Sequence, residues 1–238
     1  MIVYGRNAVR EALRGRRSAQ AGEILATDTV ARQPWLAAAK VRVAGAVEIE
    51  RACGSGEHQG VCGGFGDFPY VAAEELLRAG EHCFVVALDE VQDPQNLGAI
   101  CRTAECVGVT GVVICERRAA AVTSAVCRSS AGAVEHLLVA RARNLADFLA
   151  AAKHAGCWCY GAAVGGGAVP YDHPDYSGGV VVVLGAEGRG LRPRVAASCD
   201  VLIALPLRGR IGSLNVSAAA AALLYEVLQK RGALDSAP

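Results

Sequence analysis

The 238-residue chain has few aromatic side chains, 5% of the total, and no long hydrophobic run. Its longest apolar stretches, residues 180–184 and 218–225, fall well short of the ~20 residues that a membrane-spanning helix needs. No apolar segment typical of a signal peptide accompanies Arg6 and Arg10, so we expect a cytoplasmic protein without a membrane partner. With 53% hydrophobic and 20% charged residues, the composition is that of a globular protein.

The chain also lacks a Cys-x-x-Cys motif, although it has ten cysteines. Most of them lie inside apolar stretches, as Cys115 does after residues 112–114, which favours reduced, buried thiols over a disulfide framework or a zinc site. We therefore expect no metal. The formal net charge is only +1, so any surface that binds nucleic acid must be a local basic patch.

Glycine and proline are concentrated at residues 60–69, which makes this segment the best candidate for a domain boundary. Before it, helical spacing at residues 7–14 and short strand-like runs at 23–26 and 47–49 predict a small mixed α/β unit. We predict a small α/β domain at residues 1–66, a linker at 67–80 and a larger α/β domain at 81–238.

The larger domain is predicted to contain a parallel sheet covered by helices on both faces, because apolar β-rich runs alternate with helical periodicity. The predicted strands are residues 84–88, 111–115, 137–140, 158–160, 180–184 and 201–205, and the predicted helices are 97–106, 145–155 and 217–228. In such sheets, ligands bind at the carboxyl ends of the strands.

Two of these strand ends carry residues that are open to more than one interpretation. After the first strand, Asn96 can cap a helix and Arg102 can be a solvated helix residue, or both can belong to a site. Later, Glu187 lies in a loop with three glycines, whose spacing fits neither a dinucleotide fingerprint nor a phosphate loop. Glu187 is therefore either a charge at a helix N-terminus or a site residue.

The third strand end places alternating polar residues, Ser213, Asn215 and Ser217, before an alanine-rich helix. One of them must be the helix N-cap, but three exceed what a cap requires. A basic excess also surrounds this strand end, since residues 188–212 contain five arginines and only one acid, Asp200. We predict that Arg189, Arg192, Arg208 and Arg210 of this excess form a phosphate-binding rim.

Taken together, the three strand ends resemble the motif set of the SpoU/TrmH family of RNA ribose 2′-O-methyltransferases. Residues 96–102 resemble its Asn-x-Gly-x-x-x-Arg motif, residues 184–191 its Leu-Gly-x-Glu-x-x-Gly-Leu motif and residues 213–217 its Ser-Leu-Asn-Val-Ser motif. Residues 129–136 also resemble a family element. The segments Gly5-Arg6-Asn7-Ala8-Val9 and His58-Gln59-Gly60-Val61 resemble the small substrate-binding domain of the RlmB-like branch, which methylates a guanosine ribose in 23S rRNA.

The resemblance implies a SPOUT methyltransferase domain with a C-terminal trefoil knot, a homodimer and S-adenosylmethionine as cofactor. It implies cofactor contacts at Gly185, Leu205 and Leu214. It also assigns catalytic or site-building positions to Asn96, Arg102, Glu187, Ser213 and Asn215. Leu207 and Ala162 depart from the residues that are usual at two positions of the cofactor pocket.

The resemblance makes Arg102 central to catalysis, yet an arginine is a poor base because its pKa lies far above neutral pH. We therefore expect Arg102 to bind a substrate phosphate and the 2′-oxygen, while a phosphate or water accepts the proton. Arg14, Arg16 and Arg17 are either a second RNA contact or a helix-end charge cluster. The predicted activity is methylation of rRNA; a tRNA methyltransferase and a non-catalytic RNA-binding protein are the alternatives.

Overall fold

The computed structural model of the protein describes residues 1–165 and 167–232; the last six residues of the predicted 81–238 domain lie outside the described residues. In chain order, the helices and strands are β1 (Ile2–Tyr4), α1 (Arg6–Ala12), β2 (Ile24–Ala26), α2 (Asp28–Ala31), β3 (Val41–Val43), α3 (Ala46–Cys53), β4 (Val61–Gly64), β5 (Phe84–Asp89), α4 (Pro94–Cys106), β6 (Gly111–Cys115), α5 (Ser124–Ser129), β7 (Val139–Ala142), α6 (Leu145–His154), β8 (Cys157–Ala162), β9 (Val169–Pro170), β10 (Gly179–Gly185), α7 (Pro193–Ser198), β11 (Val201–Ala204) and α8 (Val216–Lys230).

The chain folds into two compact units. Unit 1 consists of residues 1–69 and 121–136, and unit 2 of residues 70–120 and 137–238. Unit 1 has a four-stranded sheet in the order β1-β4-β2-β3, in which only the β2–β3 pair is parallel. Residues 121–136, including α5, thus belong to the same unit as the N-terminal segment.

One sequence prediction for unit 1, the strand at residues 47–49, is wrong. Residues 47–49 lie inside helix α3, which ends at Gly54 in the left-handed conformation with φ 70°. A three-residue window cannot separate strand alternation from helical spacing, so the pattern was ambiguous. Part of the glycine-rich segment 60–69 forms the internal strand β4, where the absence of a side chain at Gly63 leaves room for Ile24.

Arg17 is fully buried in unit 1, so it cannot be the exposed RNA contact that the sequence allowed. Its Nε donates to Oε2 of Glu135 at 3.0 Å, and a second guanidinium nitrogen pairs with Oε1 of the same carboxylate. The remaining nitrogen donates to the carbonyl oxygen of Gly66 at 3.0 Å. The ion pair therefore joins the two chain segments of unit 1 to each other.

Unit 2 contains a seven-stranded sheet in the order β7-β6-β5-β10-β8-β11-β9, and every pair in it is parallel. This confirms the predicted parallel α/β sheet. All six predicted strands are present, with ends that shift by at most two residues, and helices α4, α6 and α8 match the three predicted helical segments to within three residues at each end. Strand β9 and helix α7 were not predicted.

The core of unit 2 lies along strand β10, whose residues Val180 to Val183 are completely buried. Such a strand carries apolar residues on both faces because helices cover both sides of a parallel sheet. The carboxyl ends of β5, β10, β8 and β11 lie next to one another in the sheet order, and the segments that follow them hold the candidate site. Within residues 1–165 and 167–232, no helix is both long and apolar enough to cross a membrane.

Candidate active site

Three predicted site residues from distant parts of the chain form one hydrogen-bonded cluster in unit 2. Oε1 of Glu187 accepts hydrogen bonds from Nδ2 of Asn96 and from Nδ2 of Asn215, both at 2.7 Å. The amide of Asn215 also donates to Oδ1 of Asn96 at 3.0 Å. The cluster thus connects the start of α4, the loop after β10 and the start of α8.

Asn96 is held in this cluster by the way in which helix α4 begins. Asp93 is the N-cap and accepts a hydrogen bond from the backbone N–H of Gln95 at 2.9 Å, while Pro94 occupies the first turn. Asn96 is therefore not the cap, and its buried side chain is available to bond with Glu187.

Asn215 has two functions, as the N-cap of helix α8 and as a member of the cluster. It is the N-cap of α8, because its Oδ1 accepts from the backbone N–H of Ser217 at 2.8 Å. Its Nδ2 group donates in the opposite direction, to Glu187 and Asn96. A side chain with both a donor and an acceptor is needed here, which neither Ser nor Asp supplies in full.

A pocket of about 480 Å³ lies beside the cluster, within the 300–1,000 Å³ range of small-molecule sites. Its walls include all three residues predicted to contact the cofactor, Gly185, Leu205 and Leu214, as well as Glu187 and Ser213. The two positions that depart from the usual family residues, Ala162 and Leu207, line the same pocket. The structure therefore brings these loops of the chain together around one cavity.

The glycine loop after β10 needs its first glycine for steric reasons. A Cβ added at Gly185 would overlap with backbone atoms of Gly190 and Leu191. The loop turns back on itself, since the N–H of Gly190 donates to the carbonyl oxygen of Ala186 at 2.9 Å and Gly190 has φ 67°. The backbone of the loop is thus held close to the pocket that it lines.

Two predicted catalytic residues lie outside the hydrogen-bonded cluster: Ser213 lines the pocket, whereas Arg102 is neither in the cluster nor among the lining residues of the pocket. Arg102 lies on α4 about 9 Å further along the helix than Asn96 and on a different face. Its side chain is exposed and has no hydrogen bond or ion pair within the described residues. The guanidinium of Arg102 is thus free to bind a ligand, as far as residues 1–165 and 167–232 are concerned.

The four arginines of the predicted rim have two different environments. Nε of Arg192 donates to Oδ1 of Asp89 at 2.7 Å, and a further guanidinium nitrogen lies 3.3 Å from Oε1 of Glu90. The hydrogen bonds to Asp89 raise the pKa of the Arg192 guanidinium. Two buried carboxylates thus occupy the guanidinium of Arg192.

The other three arginines are exposed and unpaired within the described part of the chain: Arg189, Arg208 and Arg210. Arg189 lines the pocket itself, and the other two lie between the lining residues Leu207 and Gly212. A basic rim of three arginines therefore lies at the pocket edge.

The pair of acids that holds Arg192 was not identified from the sequence. Asp89 is the last residue of β5 and is 1% exposed, and its Oδ2 also accepts from the backbone N–H of Arg192 at 2.8 Å. The only signal was the position of Asp89 and Glu90 at the carboxyl end of a predicted strand. These contacts position the chain that follows the glycine loop.

The cysteines do not take part in the cluster. All ten are free thiols, and seven of them are buried. Burial raises the pKa of the Cys101 thiol to about 12, which keeps it protonated and unreactive at neutral pH. Within residues 1–165 and 167–232, no group of three or more His, Cys, Asp or Glu residues is arranged to hold a metal ion.

A parallel α/β sheet with a loop-lined pocket at its strand ends defines the class: an α/β enzyme that binds a small cofactor at the edge of the sheet. The model described as the SpoU rRNA Methylase family matches residues 83–225. A second model, described as RNA 2′-O ribose methyltransferase substrate binding, matches residues 2–71. The chain belongs to the SpoU rRNA methylase family.

Individual relatives agree with this assignment. A putative TrmH family tRNA/rRNA methyltransferase of Bacillus subtilis is 41% identical over 181 residues, which cover 74% of this chain and 72% of the relative. A protein of the same description from Staphylococcus aureus is 36% identical over 178 residues, covering 73% and 71%. The crystal structure of an AdoMet-bound rRNA methyltransferase from Sinorhizobium meliloti has a TM-score of 0.80 and is 28% identical, covering 96% of this chain and 86% of that chain.

Replacing Gly185 by alanine should disrupt the pocket, because the new methyl group must displace the backbone of the glycine loop. We expect at least a tenfold loss of S-adenosylmethionine affinity in isothermal titration calorimetry. Gly209→Ala is the matched control, since an added Cβ there meets nothing within 4 Å. Equal affinities for the two variants would contradict the steric role of Gly185.

Proposed function

We propose that the protein transfers a methyl group from S-adenosylmethionine to the 2′-hydroxyl of a ribose in RNA, at a guanosine of 23S rRNA. The observation that carries the proposal is the junction of three motif residues, Asn96, Glu187 and Asn215, beside a pocket lined by the three predicted cofactor residues. Family membership supports RNA 2′-O-methylation, and the match of residues 2–71 to a substrate-binding model supports the part of unit 1 in binding RNA.

The chemistry of the pocket fits S-adenosylmethionine. Leu205, Leu207 and Leu214 offer apolar surface for an adenine ring, and the backbone of the glycine loop offers polar groups beside it. A volume of about 480 Å³ suits a ligand of this size. S-adenosylmethionine supplies an electrophilic methyl group when bound.

The residues of this chain would then orient the sugar and stabilise charge. The Asn96–Glu187–Asn215 cluster holds the glycine loop against the starts of α4 and α8, so that the pocket walls keep a fixed geometry. Arg102 has free guanidinium donors for a phosphate and for the negative charge that develops on the 2′-oxygen. A substrate phosphate or a water accepts the hydroxyl proton.

We also propose a homodimer and a knotted C-terminal segment in unit 2. Ile211 and Tyr225 are 76% and 48% exposed, and large apolar side chains at such exposure are candidates for burial by a second copy. Size-exclusion chromatography with light scattering should give twice the 24.5 kDa of one chain. A mass of one chain at micromolar concentration would contradict the dimer. A cytoplasmic location stays a prediction.

Transfer of tritiated methyl groups to purified RNA tests the proposed activity. We expect label in 23S rRNA, with a primer-extension stop at a guanosine. Label in tRNA alone would favour a tRNA methyltransferase. Label in no RNA, together with retained RNA affinity, would favour a binding protein of the same fold.

RNA affinity should depend steeply on salt because the pocket rim carries three unpaired arginines. We expect the double variant Arg208→Ala/Arg210→Ala to lower the slope of log affinity against log salt by about 2, one unit for each phosphate contact. Filter binding over a series of salt concentrations measures this slope. The matched control removes two exposed arginines outside these loops, Arg117 and Arg143. If the control double variant lowered the slope by the same amount, the result would contradict a localised rim.

A further inference from the structure

Unit 1 contains a pocket of about 300 Å³ whose described lining residues all belong to unit 1. It is formed by the end of α1, the segment that follows it and the turn around Trp35. Its lining includes Leu13, Arg14, Ser18, Trp35 and Lys40. Its volume lies at the lower end of the range of ligand-binding pockets, which suits a single planar ring with its substituents.

The charged residues that line this pocket are all basic. Arg14 and Lys40 are its two charged residues, with side chains 56% and 80% exposed, and no carboxylate is among its described lining residues. Each pairs with a neighbouring carboxylate, Glu11 at 3.8 Å and Glu23 at 3.7 Å. Exposed pairs of this length contribute little and exchange readily for a stronger anion. The pocket therefore presents two cations to an anionic ligand.

The indole ring of Trp35 lines the pocket and is available for stacking on a ligand. The indole is half-buried, and no ring or cation within the described residues stacks against it. Its neighbour Leu36 is 2% exposed and anchors the turn in the core of unit 1. Trp35 is thus held in place by its neighbour while its own ring lines a cavity.

We infer that the pocket of Trp35, Arg14 and Lys40 binds one unstacked nucleotide of the RNA substrate. The base stacks on Trp35, and the phosphates on either side of it bind Arg14 and Lys40. An aromatic platform beside cations is the arrangement by which proteins hold single-stranded RNA, because every base has a π-face and every linkage carries a charge. An acidic peptide would occupy the cations but leave the indole unmatched. The inference rests on the proposed function and identifies where unit 1 contacts the substrate.

The intrinsic fluorescence of the protein provides a direct test, because Trp35 and Trp158 are its only tryptophans. In a Trp158→Phe background, Trp35 is the single reporter. We expect oligoadenylate to quench this signal saturably and heparin, a polyanion without bases, to leave it unchanged. Equal quenching by heparin would overturn the stacking role and indicate a general anion site. No quenching by oligoadenylate at concentrations that saturate binding would overturn the inference.

Substitutions then test whether the pocket serves the reaction. Trp35→Ala should raise the KM for rRNA by about tenfold, and Trp35→Phe should recover most of the loss. Lys40→Glu should raise the same KM without any risk to the core, since its side chain is 80% exposed. Arg51→Glu is the matched control, because it makes the same change of charge at an exposed position of unit 1 outside the pocket. An equal effect of the two charge reversals would overturn a localised site.

Two readouts separate this inference from the proposed function. If the wild-type protein methylates rRNA and both pocket variants keep the wild-type KM, the inference is wrong and the proposed function stands. If the wild-type protein methylates no RNA while the fluorescence of Trp35 is quenched by oligoadenylate and not by heparin, the proposed function is wrong and the inference that the pocket binds a nucleotide is supported. Affinity for S-adenosylmethionine, measured by calorimetry, verifies that each variant is folded in unit 2.

Discussion

An Arg17→Met variant should lose about 3–5 kcal/mol of the free energy of unfolding of unit 1. Arg17 and Glu135 are 0% and 1% exposed, so removing the arginine leaves a carboxylate buried without its counter-charge. Burial lowers the pKa of the Arg17 guanidinium, but the hydrogen bonds and the charge of Glu135 raise it by more, so the group stays charged. Such a loss is a large fraction of the 5–15 kcal/mol that stabilises a typical domain.

Urea denaturation measures this loss in a Trp158→Phe background, in which Trp35 reports on unit 1. Arg32→Met is the matched control, because Arg32 pairs with Asp28 at the surface, where both side chains are more than 60% exposed. That control should change stability by less than about 0.5 kcal/mol. The double variant Arg17→Met/Glu135→Leu should recover much of the loss, since it leaves no unpaired charge. An Arg17→Met protein as stable as the control would contradict the role of the buried pair.

The ion pair also explains why the domain organisation is hard to read from the sequence. Residues 121–136 interrupt the chain of unit 2 and yet fold with the N-terminal segment. No local pattern reports this, because the contact between Arg17 and Glu135 joins positions 118 residues apart. Periodicity describes neighbours within an element, whereas membership of a unit depends on which distant elements share a core.

The parallel sheet of unit 2 was easier to predict from the sequence than the domain organisation. The strands of unit 2 are continuous apolar runs such as Val180 to Val183, and burial on both faces of a parallel sheet requires such runs. Strand β4 is not readable from the sequence, because its glycines resemble those of a turn and the segment 60–69 indicates a domain boundary. Its Gly63 is explained only by the Ile24 side chain that packs over it.

The sequence could predict which residues belong to the candidate site, but not which of them contact one another. Asp93 and Asn96 are equally good cap residues by type, and only the placement of Pro94 in the first turn decides between them. The bond between Asn96 and Glu187 spans 91 residues, so no spacing rule reveals it. Motif similarity identified these residues as a set. The structure explains the set, because the residues form hydrogen bonds with one another.

Arg102→Lys should lower kcat for RNA methylation by about 100-fold or more, in the range that follows loss of one donor to a developing oxyanion. The lysine keeps the positive charge but loses the planar fork that can bind a phosphate and the 2′-oxygen together. Stability and S-adenosylmethionine affinity should not change, because Arg102 is exposed and has no partner within the described residues.

The division of the effect between kcat and KM identifies what Arg102 does. A loss confined to KM would mean that Arg102 only holds the RNA, whereas a loss in kcat means that it acts when charge develops on the sugar oxygen. Arg143→Lys is the matched control. It is the same substitution at a position outside the motifs, where the side chain is 93% exposed. A wild-type kcat for Arg102→Lys would show that charge alone suffices. The Asn96–Glu187–Asn215 cluster would then have to position the reacting groups without a guanidinium fork.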